Sequence, residues 1–239
     1  MMQRIESLKK FQWEKGHHAA RVCVDESMAK TYRDPALSDV MRTALRLKAA
    51  LEMEKPYLFD GEIIAFTRTA PNLPFIFSEA EWEKIRAEHF IHEMGNVSNL
   101  SPDYGRVIAS GLLDLRARLG NGEEHEAMRI SIDAVLDLTA RYAKAARAAG
   151  DAVLAGVLER VPAYPARTFR EALQSLRILH YAMWCEGDYH NTLGRFDQYM
   201  WPYLKADLDA GRETRESAFE LLEAFVLACN RDSDLYPGM

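Results

Sequence analysis

The run Thr168-Phe-Arg-Glu-Ala-Leu-Gln-Ser-Leu-Arg-Ile-Leu-His-Tyr-Ala-Met-Trp-Cys185 decides the fold. Thr168 followed by Glu171 is a capping box, and it predicts a helix reaching about Cys185. The second half, Ile178–Cys185 (ILHYAMWC), carries apolar residues on nearly every face. Phe219–Cys229 (FELLEAFVLAC) has the same character, after a cap at Thr214. Helices apolar almost all round are buried on several sides, so both ask for more protein around them than an amphipathic surface helix needs.

Working outward, Val161-Pro-Ala-Tyr-Pro165 is predicted to be extended, because two prolines forbid helix there. It is the one plausible seam in the chain, near 161–166. Asp151–Arg160 reads as a helix, and so does the Ala-rich stretch Glu124–Ala149, ended by Gly150. Gly120-Asn121-Gly122 is a turn. Ser101-Pro102-Asp103 opens a helix through Val107, Ile108, Leu112, Leu115 and Leu119. Ser78 and Glu81 form another capping box, with Trp82, Ile85, His89 and Phe90 on one stripe. Asp34-Pro35 opens a helix to about Met53. Glu62–Thr67 (EIIAFT) is the best strand candidate, and Ala70–Pro74 is a loop. The expected fold class is mainly α with a few short strands, over one unit spanning 1–239.

The 239 residues hold 48% hydrophobic side chains, enough for a real core, which excludes wholesale disorder. The net charge of −6 argues against a strongly basic nucleic-acid binder. Three widely spaced cysteines, Cys23, Cys185 and Cys229, give neither a disulfide framework nor a metal knuckle and fit a reducing compartment. No window approaches roughly 18 apolar residues, so no membrane span is expected. The expected setting is the cytoplasm.

Two polar clusters stand out. Glu186–Tyr199 (EGDYHNTLGRFDQY) sets Arg195, Asp197 and Gln198 beside Glu186, Asp188 and His190, between apolar segments. Such a loop either satisfies its groups in a buried ion-pair network or serves a site. Gly95–Tyr104 (GNVSNLSPDY) offers amides, hydroxyls and backbone N–H groups at a helix start. It is either ordinary capping, with Ser101 as N-cap, or a seat for a carboxylate or phosphate. His89 and His92 lie three apart but have no third metal ligand. His17 and His18 are adjacent and diverge on a helix. Cys185 and Cys229 sit in apolar runs, where a thiol is unreactive.

Three strings then carry a resemblance. Pro165-Ala-Arg-Thr-Phe-Arg-Glu-Ala-Leu-Gln174, Leu193-Gly-Arg-Phe-Asp-Gln-Tyr199 and Pro202-Tyr-Leu-Lys-Ala-Asp-Leu-Asp-Ala-Gly211 resemble the recurring segments of pyruvate formate-lyase-type glycyl radical enzymes. Asp103-Tyr104, Val107 and Gly111-Leu112 resemble a further segment upstream. The resemblance covers the N-terminal part of a longer family chain. It implies part of a ten-stranded α/β barrel, whose helix-to-strand junction Arg195, Asp197 and Gln198 would fix.

The resemblance also implies chemistry. Family members carry a radical on a backbone glycine, installed anaerobically by an S-adenosylmethionine iron–sulfur activating enzyme and passed to a cysteine at the barrel centre. They cleave C–C, C–O or C–N bonds in small organic substrates, and many are homodimers. Cys23-Val24, Cys185-Glu186 and Cys229-Asn230 do not match the family's G-C-x-E-like context, and Tyr236-Pro237-Gly238 is not its R-V-x-G-Y-like loop. No catalytic residue is therefore assigned, and no cofactor is expected on this chain. The stretch before Asp103-Tyr104 lies near substrate in the family, which makes Asn96 and Asn99 the substrate-binding candidates. The expectation is an N-terminal portion, inactive alone, its end at Met239 a cut through a larger core. The alternative is a stand-alone helical binding or regulatory protein, paired with a separately encoded C-terminal half.

Overall fold

The computed structural model describes residues 2–24, 26–89 and 100–232. Among them are ten α-helices: α1 (Met2–Trp13), α2 (Asp39–Met53), α3 (Glu79–His89), α4 (Tyr104–Ser110), α5 (Leu112–Ala117), α6 (Glu123–Ala148), α7 (Ala152–Arg160), α8 (Phe169–Glu186), α9 (Phe196–Asp209) and α10 (Arg215–Asn230). No strand occurs among the described residues, and one isolated parallel bridge, Leu100 to Asn191, is the sole β pairing. The few short strands expected from the sequence are not found there, and no barrel is seen. None of the described helices is long and apolar enough to cross a membrane.

α8 is the axis of the fold. Thr168 caps it by accepting from the Glu171 N–H at 3.1 Å, and the Glu171 carboxylate accepts from the Arg167 N–H at 2.7 Å. Its first half (Phe169, Ala172, Leu173, Leu176) packs with α1, α4, α9 and α10. Its second half (Ile178, Tyr181, Ala182, Cys185) packs with α2, α6 and α7. A helix gripped on every side buries its polar residues too, and in α8 Gln174 and Arg177 are met by the backbone of Ala65 and Phe66. α10 differs: Phe219 and Val226 stand 60% and 55% exposed, so its outward face is apolar but uncovered.

Local chemistry moved several helix starts. Asp34-Pro35 does not open α2. The Asp34 carboxylate accepts from the Ala36 N–H at 2.9 Å in a local turn, and Ser38 caps the helix by accepting from Met41 at 3.3 Å. Asp103, not Ser101, caps α4. Gly111 splits the expected single helix into α4 and α5. It adopts φ +81, and a Cβ there would lie 2.5 Å from the Ala163 carbonyl oxygen. The proline segment uses that close approach: Leu112 and Leu113 N–H donate to the Pro162 and Ala163 carbonyls at 2.8 and 3.1 Å. After Val161 that segment folds as a turn rather than running extended.

Glu62–Ala70 is the largest departure. It is not a strand, although its apolar, β-branched pattern reads as one. Its backbone is satisfied by side chains instead. Gln174 of α8 accepts from Ala65 N–H at 2.8 Å and donates to Ala65 O at 3.3 Å. The Tyr142 hydroxyl of α6 accepts from Thr67 N–H and donates to Thr67 O, at 3.3 and 3.1 Å. The Glu54 carboxylate at the end of α2 accepts from Thr69 and Ala70 N–H at 2.6 and 3.2 Å. Phe66, at φ +86, breaks any extended run.

Candidate functional site

α8 ends at Gly187, which takes φ +107 and donates to the Met183 and Trp184 carbonyls. The released chain, 188–195, runs beside the segment that leads into α4. Leu100 pairs with Asn191, and Thr192 N–H donates to Leu100 O at 3.0 Å. Gly194 turns at φ +58, and a Cβ on it would meet Ser101 Oγ at 3.1 Å. Gly105 lets α4 approach α9, since a Cβ there would lie 3.0 Å from Tyr199 Cβ. The described end of one polar cluster, Leu100–Tyr104, thus meets the other, Glu186–Tyr199, at one place in the fold.

Side chains from α2 and the 68–74 loop hold this junction from behind. Arg46 donates through Nη1 to Glu186 Oε1 at 2.9 Å, through Nε to Pro74 O at 2.9 Å and through Nη2 to Leu73 O at 2.9 Å. That is a buried guanidinium tying three segments together. Asn72 accepts from Arg68 through its carbonyl oxygen and bonds the Tyr189 hydroxyl through its amide nitrogen. Tyr189 packs on Trp184 with ring centroids 5.1 Å apart, and Trp184 sits 6.3 Å from His180.

Several buried polar atoms here have no hydrogen-bond partner: His180 Nδ1, Trp184 Nε1 and Asn191 Oδ1. Burial first, then the positive Arg177, pushes the His180 imidazole down to about 4, so it is neutral at pH 7. A neutral imidazole, an indole N–H, an amide carbonyl and the Tyr189 phenol make a surface of mixed donors and acceptors. Unmet buried groups of this kind call for a further partner.

An apolar groove of about 940 Å³ adjoins the junction through Tyr104 and Met183, whose hydroxyl and sulfur lie 3.4 Å apart. Its walls include Val40, Ala44, Val107, Leu112, Leu115, Met128 and Ile132, with Asp39, Asp103, Arg106 and Arg118 among its polar lining.

The sequence candidates fall out unevenly. Asn96 and Asn99 lie outside the described residues, as does His92; their chain re-enters the described structure at Leu100, in the junction. Arg195, Asp197 and Gln198 correct the expectation of a buried cluster at a helix-to-strand junction. Arg195 does pair with Asp197, at 3.1 and 3.0 Å, but both side chains are exposed (68% and 70%), and Gln198 is exposed on the first turn of α9. Asp197 there faces solvent and the positive end of the helix, where a carboxylate is stabilised without burial. Among the described residues the cluster does hold one buried ion pair at its start, Arg46–Glu186, while Arg68–Glu54, Arg177–Asp232 and Arg231–Glu62 are buried elsewhere.

His89 is exposed. Among the described residues no three His, Cys, Asp or Glu side chains converge to hold a metal ion. Burial pushes the Cys185 thiol well up and Cys229 to about 11, which leaves both protonated and inert. Arg46, Asn72 and Tyr189 went unrecognised in the sequence. Arg68 did leave a trace, as one charge inside the otherwise uncharged run Ile63–Pro71.

Comparison with known proteins gives concordant likenesses. A family model described as "PFL-like: Pyruvate formate lyase-like" matches residues 74–237. The isethionate sulfite-lyase of Oleidesulfovibrio alaskensis is 35% identical over 124 residues, which is 46% of this chain and 15% of the relative. The glycerol-bound B12-independent glycerol dehydratase from Clostridium butyricum superposes with a TM-score of 0.73 at 21% identity, covering 96% of this chain and 39% of its own. A glycyl radical enzyme from Archaeoglobus fulgidus gives 0.70 at 19% identity, over 94% and 40%. The chain therefore spans well under half the length of each of these proteins.

Proposed function

The chain belongs to the pyruvate formate lyase-like family, and we propose that it is the N-terminal portion of a glycyl radical enzyme cleaving C–C, C–O or C–N bonds in a small organic substrate. Its 239 residues act as one unit, with a seam near 161–166. It supplies helical wall and part of the substrate pocket, not the reacting groups. The observation that carries this reading is the meeting of Leu100–Ser101 with Asn191–Gly194, with unmet buried polar atoms on Asn191 and, along α8, on Trp184 and His180.

In this reading Asn96 and Asn99 face the substrate from the segment that enters the junction. Tyr189, held by Asn72, and the indole N–H of Trp184 orient its polar groups, while Tyr104 and Met183 keep water from the apolar side. His180, neutral, offers an acceptor without adding charge. No glycine or cysteine of the chain stands in the family's radical or thiyl context, so the radical relay belongs to the remainder of the fold. That remainder would meet an S-adenosylmethionine iron–sulfur activating enzyme under anaerobic, cytoplasmic conditions. Dimerisation with a second copy of the whole protein fits the same reading.

Sequencing downstream of Met239 tests it. An in-frame continuation containing G-C-x-E and a later R-V-x-G-Y supports it; a stop followed by unrelated sequence sinks it. In the continued protein, anaerobic activation should yield a glycyl radical signal by electron paramagnetic resonance. Asn96→Ala or Asn99→Ala should raise KM without removing that signal.

A further inference from the structure

α10 is buried along one side and bare along the other. Ala218, Leu221, Ala224, Phe225 and Ala228 pack inward, where the helix meets α1 and α8. Outward it carries Arg215, Phe219, Leu222, Glu223, Val226 and Asn230, all exposed or half-buried. Phe219 and Val226, 60% and 55% exposed, make the middle of that stripe apolar. Large apolar side chains grouped on one exposed face mark a contact surface.

The stripe is symmetric along the chain. Its steps are four, three, one, three and four residues, the same order from either end. A two-fold axis crossing the helix between Leu222 and Glu223 therefore lays the stripe antiparallel on a copy of itself. Phe219 of each copy then meets Val226 of the other, and Arg215 lies over the far end near Asn230. A symmetric dimer requires a self-complementary face of this kind. Antiparallel packing also sets the Arg215 guanidinium against the negative C-terminal end of the other helix.

Charge supports the same pairing. Beside the C-terminal end of α10 lies a cavity of about 680 Å³, lined by Trp13, Leu227 and Asn230 together with Glu6, Gln12 and the lysines Lys9, Lys10 and Lys15. Trp13 is 89% exposed, and Lys15 makes no ion pair among the described residues. Glu216 and Leu227 lie eleven positions apart, close to three full turns, so they share one flank of the helix. The two-fold carries that flank onto itself with its ends exchanged. The exposed Glu216 of each copy thus reaches the lysine rim of the other, twice per dimer.

We propose that α10 is the contact face of a symmetric dimer of this chain, in which two antiparallel copies of the helix meet through Phe219 and Val226 and Glu216 of each sits against the lysines beside the other's Trp13. The pairing needs only the surface of these 239 residues and does not rest on the glycyl radical reading. Two helices of 16 residues, each about 24 Å long, make a small interface, so the dimer dissociates on dilution through the micromolar range.

Sedimentation equilibrium of the 239-residue chain over that range tests the proposal. The expected result is a reversible monomer–dimer equilibrium. Phe219→Glu and Val226→Glu, at exposed positions and so without effect on the thermal melt of the monomer, should each raise the dissociation constant about tenfold. Glu216→Lys should raise it several-fold, and adding Lys15→Glu should recover part of that loss. The register is read by oxidising a mixture of Phe219→Cys and Val226→Cys chains, both carrying Cys23→Ser because Cys23 is the exposed native thiol. The expected crosslink joins position 219 of one copy to 226 of the other. A monomer at every concentration, a dimer unmoved by the glutamate variants or by Glu216→Lys, or no enrichment of the 219–226 crosslink over 219–219 and 226–226 overturns the proposal.

Discussion

Arg177 and Asp232 form a two-pronged ion pair, at 2.5 and 2.7 Å, with both side chains wholly enclosed. Arg177 spends its remaining reach on the Phe66 carbonyl, while the neighbouring Arg231 bonds Glu62 and Thr67. The end of α10 is thereby anchored into the buried segment beside α8 by two adjacent residues of opposite charge.

Removing one partner of that pair strands the other in a dry interior. Asp232→Ala should cost about 3–5 kcal/mol in urea unfolding. Arg195→Ala, which breaks an exposed pair of similar geometry, should cost little. Equal, small losses in both variants would contradict the burial described for Arg177.

His180 sets a pH dependence. Its imidazole has a lower pKa folded (about 4) than unfolded (about 6.5), so the unfolded chain binds the extra proton first. Stability is complete above about pH 6.5 and falls as pH drops towards 4, by an amount on the order of 2–3 kcal/mol. Urea midpoints measured across that window should slope less in His180→Gln. An unchanged slope would remove His180 as the cause.

Gln174 bonds both backbone groups of Ala65, so Gln174→Leu should orphan a donor and an acceptor together. The expected loss is about 2–4 kcal/mol. Gln174→Glu should recover part of it, since a carboxylate still accepts from the Ala65 N–H. Urea midpoints for the two variants decide the point.

Gly111 and Gly150 both take a positive φ, +81 and +82, but only Gly111 touches neighbouring backbone. Gly150→Ala should cost about 1–2 kcal/mol, the conformational term alone. Gly111→Ala must also displace the Ala163–Tyr164 backbone and should cost more, about 3 kcal/mol or above. Thermal melts that rank the two the other way would count against the packing at the α4–α5 break.

Most helices are legible because their ends carry local chemistry: Ser78 with Glu81, Thr168 and Thr214 all cap where the sequence indicates. Local chemistry also misled. Asp34-Pro35 has the look of a helix start yet makes a turn, because Ser38 offers the better cap. The partnership of Leu100 with Asn191 was beyond reach, since each lies in a loop and the bridge depends on how α4, α8 and α9 pack. Arg46 and Asn72 have no motif; their importance comes from the carbonyls and hydroxyl that three-dimensional packing places around them. Arg195 and Asp197 lie between apolar runs, a pattern open to either a buried network or a site, whereas the start of α9 points both side chains outward.

The segment Glu62–Ala70 has a consequence for any solution probe of this chain. Its amides at Ala65, Thr67, Thr69 and Ala70 are bonded and buried, so their exchange with deuterium should be slow. A protection pattern taken by itself would therefore draw a β-ladder here, although the partners are a glutamine of α8, a tyrosine of α6 and the glutamate that follows α2. Changing Gln174 or Tyr142 would unprotect one amide, that of Ala65 or Thr67, and changing Glu54 would unprotect the two at Thr69 and Ala70, which lets each tether be timed separately as the protein opens.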